Sequence, residues 1–220
     1  MPQPILLVTR PEAAARRFAA EVAGLGLPVV IAPLMRIVPV PHDSARLHAA
    51  PVIVLTSASA VPAAGPGAGR LALCVGEATA AEARRAGFAV QVGATSEASG
   101  LLPLIEASEI PPLHARGSHV AAVLPVEAMI VYDQQPVPLS DAGRAILAGY
   151  NPVILPLFSP RSARLASDAC MDARAPLIPL AISVAAAREW QAGGAPIRVA
   201  ARPDGPSMHA LLVEILAEQK

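Results

Sequence analysis

Two apolar runs in this chain end in the same way. VIVLTSASAV, from Val52 to Val61, breaks from β-forming residues into Thr56, Ser57 and Ser59, and VILPLFSPRSA, from Val153, breaks into Ser159. A short continuous apolar run suits a strand buried on both faces of a parallel sheet. A small hydroxyl residue directly after it suits the N-cap of a following helix. The order strand, small polar residue, helix therefore recurs in the chain, and that order belongs to α/β proteins.

The recurrence extends further. Ser57-Ala58 aligns with Ser159-Pro160, and the segment at Leu73 to Phe88 aligns with that at Ala181 to Gly194, so that Gly76 matches Ser183 and Gly87 matches Gly194. With the same offset, VQVGATSEASGLLPLI falls on IRVAARPDGPSMHALL. Three segments in one order predict two similar α/β halves. The N-terminus supplies its own βαβ opening. Ile5 to Val8 reads as a strand, Pro11 and Glu12 as a first helical turn, and Ala15, Phe18, Ala19, Val22 and Leu25 recur at helical spacing. Gly24 and Gly26 stop that helix, and PVVIAP follows as a second strand.

Two Pro-flanked extended pieces, PLMRIVPV and VEAMIVYDQQPVP, read as a two-stranded connector between the halves. The expected division is a discontinuous domain of residues 1–34 plus 138–220, a middle domain of residues 40–126, and linker strands at 35–39 and 127–137. SHVAAVLP leaves room for a helix of barely two turns before Pro125 stops it. Pro156 is awkward in a strand that should be central, because it cannot donate a ladder hydrogen bond. GPGAG, from Gly65 to Gly69, reads as a flexible turn, without the Lys-Ser/Thr ending of a phosphate loop.

Composition excludes several classes. With 54% hydrophobic and 15% charged residues the chain can bury a large core and is not disordered as a whole. Lys plus Arg and Asp plus Glu both number 17, so no basic excess marks a nucleic acid or an anionic membrane as partner. An aromatic content of 3% is too low for base-stacking platforms. The N-terminus reads as a strand and not as a signal peptide, and no stretch reaches the length of a membrane helix. Cys74 and Cys170, in or beside apolar segments, read as buried free thiols. A cytoplasmic protein is expected. His42, His48, His114, His119 and His209 have no metal-ligand spacing. Trp190 is expected to pack in the core from a helix, and Asp133 and Asp141 to face solvent.

The carboxyl ends of parallel strands are where open α/β sheets bind ligands. Thr56, Ser57, Ser59, Thr79, Ser159 and Ser183 lie at such ends and can cap helices, beside backbone N–H groups that favour anions.

LVTRPE, TSASAV, VGEATAAEARRAGF, SEASGL, VYDQQPVPLS and FSPRSA, in this order along nearly the whole chain, resemble the uroporphyrinogen-III synthase family. The resemblance implies two flavodoxin-like parallel-sheet domains joined by a two-stranded β-ladder, with the active site in the cleft between them. It implies a cofactor-independent, metal-free hydro-lyase, monomeric, that cyclises hydroxymethylbilane to uroporphyrinogen III with loss of water and inversion of the last pyrrole ring. Tyr132 stands at the family's tyrosine position and would assist the departing hydroxyl. The substrate-binding positions implied by the matching motifs are Thr9, Arg10, Thr56, Ser57, Ser59, Gly76, Thr79, Ser96, Ser99, Gly100, Arg116, Gly117, Ser159, Pro160 and Ser183. The alternative is a catalytically impaired tetrapyrrole- or small-anion-binding protein on the same scaffold.

Overall fold

The computed structural model describes residues 2–95, 97–194 and 196–218. Its strands are β1 (Ile5–Val8), β2 (Val29–Ile31), β3 (Met35–Pro39), β4 (Val52–Leu55), β5 (Leu71–Cys74), β6 (Ala89–Val92), β7 (Leu113–Gly117), β8 (Ala128–Pro136), β9 (Val153–Leu157), β10 (Leu177–Ala181) and β11 (Arg198–Val199). Its α-helices are α1 (Glu12–Glu21), α2 (Ser44–Ala49), α3 (Val61–Ala64), α4 (Glu77–Arg85), α5 (Leu102–Glu106), α6 (Asp141–Leu147), α7 (Pro160–Cys170), α8 (Val184–Ala187) and α9 (Gly205–Glu218). The chain divides into two compact units, Met1–Arg36 with Pro136–Lys220, and Ile37–Gln135.

The first unit holds a five-stranded sheet in the order β11-β10-β9-β1-β2, with parallel pairing throughout. Alternate residues of its strands enter two cores. Leu6, Val8, Ile154 and Leu180 face α1 and α9 through Phe18, Val22, Leu211 and Ile215. Leu7, Leu155, Leu157 and Ala181 face the other way, against Leu147, Ala163, Ala166 and Cys170 of α6 and α7. The α1 helix starts just after Pro11, its N-cap, and Glu12 lies in its first turn, favourable to the dipole. Its wide separation of Ala15 and Phe18 from the charged Arg16 and Arg17 buries one stripe only. Phe18→Ala would remove about 3–5 kcal/mol from this contact.

Pro156 is tolerated for a reason of geometry. Val153 N donates to Pro176 O on the β10 side, so alternate N–H groups of β9 face β10 and the missing N–H of Pro156 faces β1. There the β1–β9 pairing ends at Leu6↔Ile154, while the β9–β10 ladder continues through Pro156↔Leu180 to Leu157. The proline therefore interrupts a ladder only where it has already stopped.

The second unit holds a six-stranded sheet in the order β3-β8-β7-β4-β5-β6. β4 to β8 pair in parallel. The two connector pieces are neighbours, as their extended sequences suggest, but they form the edge of this sheet instead of a separate ladder. One face carries a large core, with Ile53, Leu55, Ala72 and Ala115 against α2, α3 and α4. The other is thinner: Val52, Val54 and Leu73 are covered by Leu101, Ile105 and Leu124.

The two sheets are related by a shift of chain order. β9, β10 and β11 occupy the places that β4, β5 and β6 occupy in the other sheet, and β1-β2 correspond to β7-β8. The sequence repeat maps onto this: Ser57 and Ser159 both cap the turn after the matching strands, and Gly76 and Ser183 are the N-caps of α4 and α8. Two details differ from expectation. The left-handed glycine matching Gly87 (φ 86°) is Gly193 (φ 68°), not Gly194. Trp190 packs against the first unit's core from beyond the end of α8, not from a helix. Where α1 crosses from β1 to β2, the segment from Ser118 to Glu127 crosses from β7 to β8 without a helix, so the expected short helix is absent. Leu124 and Val126 fill its place against the sheet.

The GPGAG turn is less free than its composition suggests. Arg70 donates from Nε to Gly67 O (3.2 Å), from Nη1 to Leu47 O and Ala50 O (3.1 and 3.2 Å), and from Nη2 to Ala64 O and Pro66 O (2.7 and 2.9 Å). One planar fork thus satisfies a whole set of loop carbonyls.

Candidate active site at the carboxyl ends of the strands

In the second unit the carboxyl ends of β4, β7 and β8 bring polar groups together. β4 is buried along its whole length and ends at Leu55, which leaves Thr56 and Ser57 at the edge of the core. Thr56 Oγ1 shares a 2.9 Å hydrogen bond with Nε2 of His114, a buried residue of β7. Burial, and then the positive charge of Arg116, push the His114 pKa down to about 4, so the imidazole is neutral at pH 7. Ser57 Oγ accepts from Ser59 N at 3.2 Å and also shares a hydrogen bond with Tyr132.

Tyr132 lies in β8 and is 4% exposed. Burial raises its pKa, partly offset by hydrogen bonds with Ser57 and Gln134, so the phenol is neutral and can donate. Its partner in the β7–β8 ladder is Gly117, where the register shifts between Arg116 and Gly117. A Cβ at position 117 would stand 2.6 Å from Tyr132 Cε2 and 3.0 Å from its hydroxyl. Gly117 is therefore the seat of the tyrosine ring. Arg116 Nη1 donates to Gly117 O at 2.9 Å. Beyond them, Ser118 N donates to Tyr132 O at 3.0 Å and Ser118 Oγ donates to the carboxylate of Asp133. Asp133 is partly buried and held below the usual carboxylate range by Ser118, and does not simply face solvent as expected. Asp141 does, beside Arg144.

The other expected positions of this unit are dispersed along the same edge. Gly76, after β5, has open space around a built Cβ, and Thr79 is buried within α4. Ser59 sits in the turn after Ser57, and Ser99 is exposed in the turn after β6. A Cβ on Gly100 would meet Thr95 Oγ1 at 2.5 Å, so this glycine serves the packing of its own loop. Ser96 lies outside the described residues.

In the first unit, Thr9 and Arg10 follow β1, and Phe158, Ser159 and Pro160 follow β9. Arg10 Cζ stands 3.9 Å above the centre of the Phe158 ring, which meets Phe18 edge-on at 5.0 Å. Ser159 is engaged in a capping box with Ser162, Pro160 is the first residue of α7, and Ser183 Oγ accepts from Ala186 N at 3.2 Å. His114, Phe158 and Gln134 were not among the expected site residues. The signal for His114 was a lone imidazole inside a buried strand run, and for Phe158 an aromatic directly before the capping serine in a chain with few aromatics.

Among the described residues no cluster of His, Cys, Asp and Glu could hold a metal ion. Cys74 and Cys170 are both buried free thiols, raised by burial to about 11 and about 12. No helix among the described residues is long and apolar enough to cross a membrane.

The chain is thus an α/β protein whose polar groups gather at matching strand ends of two related sheets. The family model described as uroporphyrinogen-III synthase HemD matches residues 16–210, and the chain belongs to that family. The fold is similar to that of uroporphyrinogen-III synthetase from Helicobacter pylori, at 15% identity and TM-score 0.64, over 97% of this chain and 100% of the other. It is also similar to a mutant uroporphyrinogen III synthase from Thermus thermophilus, at 15% identity and TM-score 0.50, over 98% and 100% of the two chains. No curated protein matches the sequence.

Proposed function

We infer that the chain acts as a uroporphyrinogen-III synthase, cyclising hydroxymethylbilane to uroporphyrinogen III with loss of water and inversion of the terminal pyrrole ring. Family membership supports the activity, and one observation carries the mechanism: a buried, neutral tyrosine hydrogen-bonded to Ser57 at a strand end. In this reading the C–O bond of the hydroxymethyl group breaks as Tyr132 gives a hydrogen bond or proton to the departing oxygen. The electron pair of the adjacent pyrrole completes an azafulvene. That electrophile is then attacked by the substituted carbon of the terminal ring.

The chain's part is to orient the linear tetrapyrrole and to keep water from the azafulvene. Thr56 and Ser57 bind and orient substrate from the second unit, and neutral His114 fixes the Thr56 hydroxyl. Helix starts at Ser159, Ser183 and Gly76 favour the substrate's carboxylates. The reaction as written needs neither metal nor organic cofactor.

The domains proposed are residues 1–34 plus 138–220, and 40–126, with linkers at 35–39 and 127–137. Each is flavodoxin-like: the first unit's order β2-β1-β9-β10-β11 is 2-1-3-4-5 in its own count, and the second gives the same order when counted from β7. The protein is proposed to be a cytoplasmic monomer without a nucleic-acid partner. The test is anaerobic conversion of hydroxymethylbilane by chelator-treated protein, with the product isomers separated. Isomer III in excess over I is expected. Isomer I alone at the spontaneous rate would refute the activity, and loss on chelation restored by one metal would refute the metal-free mechanism.

A further inference from the structure

We propose that Arg10, stacked on Phe158 at the β1/β9 junction, is the first unit's charged anchor for one carboxylate of the tetrapyrrole. This deepens the preceding reading and rests on it for the identity of the ligand.

The junction is the sheet's topological switch point. β1 runs on through α1 to β2 on one side, and β9 runs on through α7 to β10 on the other, so the crevice outside their carboxyl ends is open to a ligand. Arg10 follows β1 and Phe158 follows β9, so the stack of guanidinium on ring spans that crevice. Among the described residues the Arg10 guanidinium has neither a hydrogen-bond acceptor nor an ion-pair partner, although it is largely withdrawn from water. Desolvation is the main reason its pKa falls to about 10, Arg17 lowers it further, and Glu21 only partly compensates. A guanidinium has five donors in a fixed fork, and leaving them unpaired costs stability unless something else takes them. The ring of Phe158 holds the plane while leaving the N–H edge free for a bidentate acceptor.

The α1 N-terminus adds a second set of donors. Its N-cap is Pro11, which has no side chain to cap it, and the first backbone bonds of the helix are made by Ala14 and Ala15. The N–H groups of Glu12 and Ala13 are therefore uncapped next to Arg10. A fork plus helix N–H groups is a carboxylate site, and hydroxymethylbilane offers carboxylates on every ring.

Two measurements test the anchor. The first follows the Arg10 side-chain Nε–H resonance of the wild type, assigned by its absence in Arg10→Lys, during propionate titration against chloride at constant ionic strength. A saturable shift is expected. The second titrates uroporphyrinogen III anaerobically into the wild type, Arg10→Met and Arg10→Lys, with melting temperatures alongside. Arg10→Met should lose about 10- to 100-fold in affinity and melt no lower than the wild type, with Arg10→Lys in between. Unchanged product affinity in Arg10→Met, or a lower melting temperature with affinity kept, overturns the anchor and leaves a packing role. A wild type that takes propionate at Arg10 yet binds no tetrapyrrole overturns the functional reading and keeps the carboxylate site. No propionate shift overturns the site.

Discussion

Acid should weaken this protein through His114 in a way that a single substitution can remove. The imidazole is buried, and its pKa is lowered from 6.5 to about 4 by burial and by Arg116. In the unfolded chain it titrates near 6.5. Above that pH both states are neutral and His114 adds no pH dependence. Between 6.5 and 4 the unfolded state binds a proton that the folded state refuses, so stability falls as pH falls, and the loss levels off below 4. The full difference corresponds to about 3 kcal/mol, and about 2 kcal/mol is already lost at pH 5. Urea unfolding of the wild type and of His114→Gln at pH 7.5 and pH 5 isolates this contribution, because the exposed histidines and carboxylates are common to both proteins. The variant should be less stable at pH 7.5, having lost a buried hydrogen bond to Thr56, but should lose about 2 kcal/mol less than the wild type on acidification. Equal losses in the two proteins would show that the imidazole is not held neutral and that the Thr56 contact does not orient that hydroxyl.

Two further outcomes follow from contacts in the site. Gly117→Ala places a Cβ 2.6 Å from the Tyr132 ring, so unfolding should show a cost of about 1–3 kcal/mol and turnover should fall with the displaced phenol, whereas Gly76→Ala, with open space around it, should leave stability unchanged. Ser159→Ala breaks the capping box with Ser162 and should cost about 1 kcal/mol in thermal or urea unfolding, with little effect on turnover.

The strand ends were legible because parallel buried strands and their caps are local signals. The runs at Val52 and Val153 and the shared offset of the later segments placed β4, β5, β9 and β10 and their caps at Ser57, Gly76, Ser159 and Ser183. What stayed hidden depends on which strands become neighbours. The Thr56–His114 bond joins residues 58 apart, and the Arg10–Phe158 stack joins the ends of β1 and β9. Neither leaves a motif in the sequence. The same holds for Pro156, whose harmlessness depends on where the β1–β9 pairing stops. The segment from Ser118 to Glu127 suggested a short helix by composition, yet Ser118 is drawn to Asp133 and Leu124 into the core, and these contacts outweigh a weak local preference. Gly100 and Gly117 matched family motifs as binding positions, while the structure gives each a packing neighbour that only a glycine admits.

The central claim is that the buried phenol of Tyr132 assists departure of the hydroxyl, and steady-state kinetics of Tyr132→Phe beside a product titration of the same variant tests it most directly. The phenyl ring keeps the seat on Gly117, so folding and binding of uroporphyrinogen III should remain within about twofold of the wild type, while kcat falls by about 100-fold. Full turnover in Tyr132→Phe would contradict the account and leave the tyrosine as a packed residue of β8.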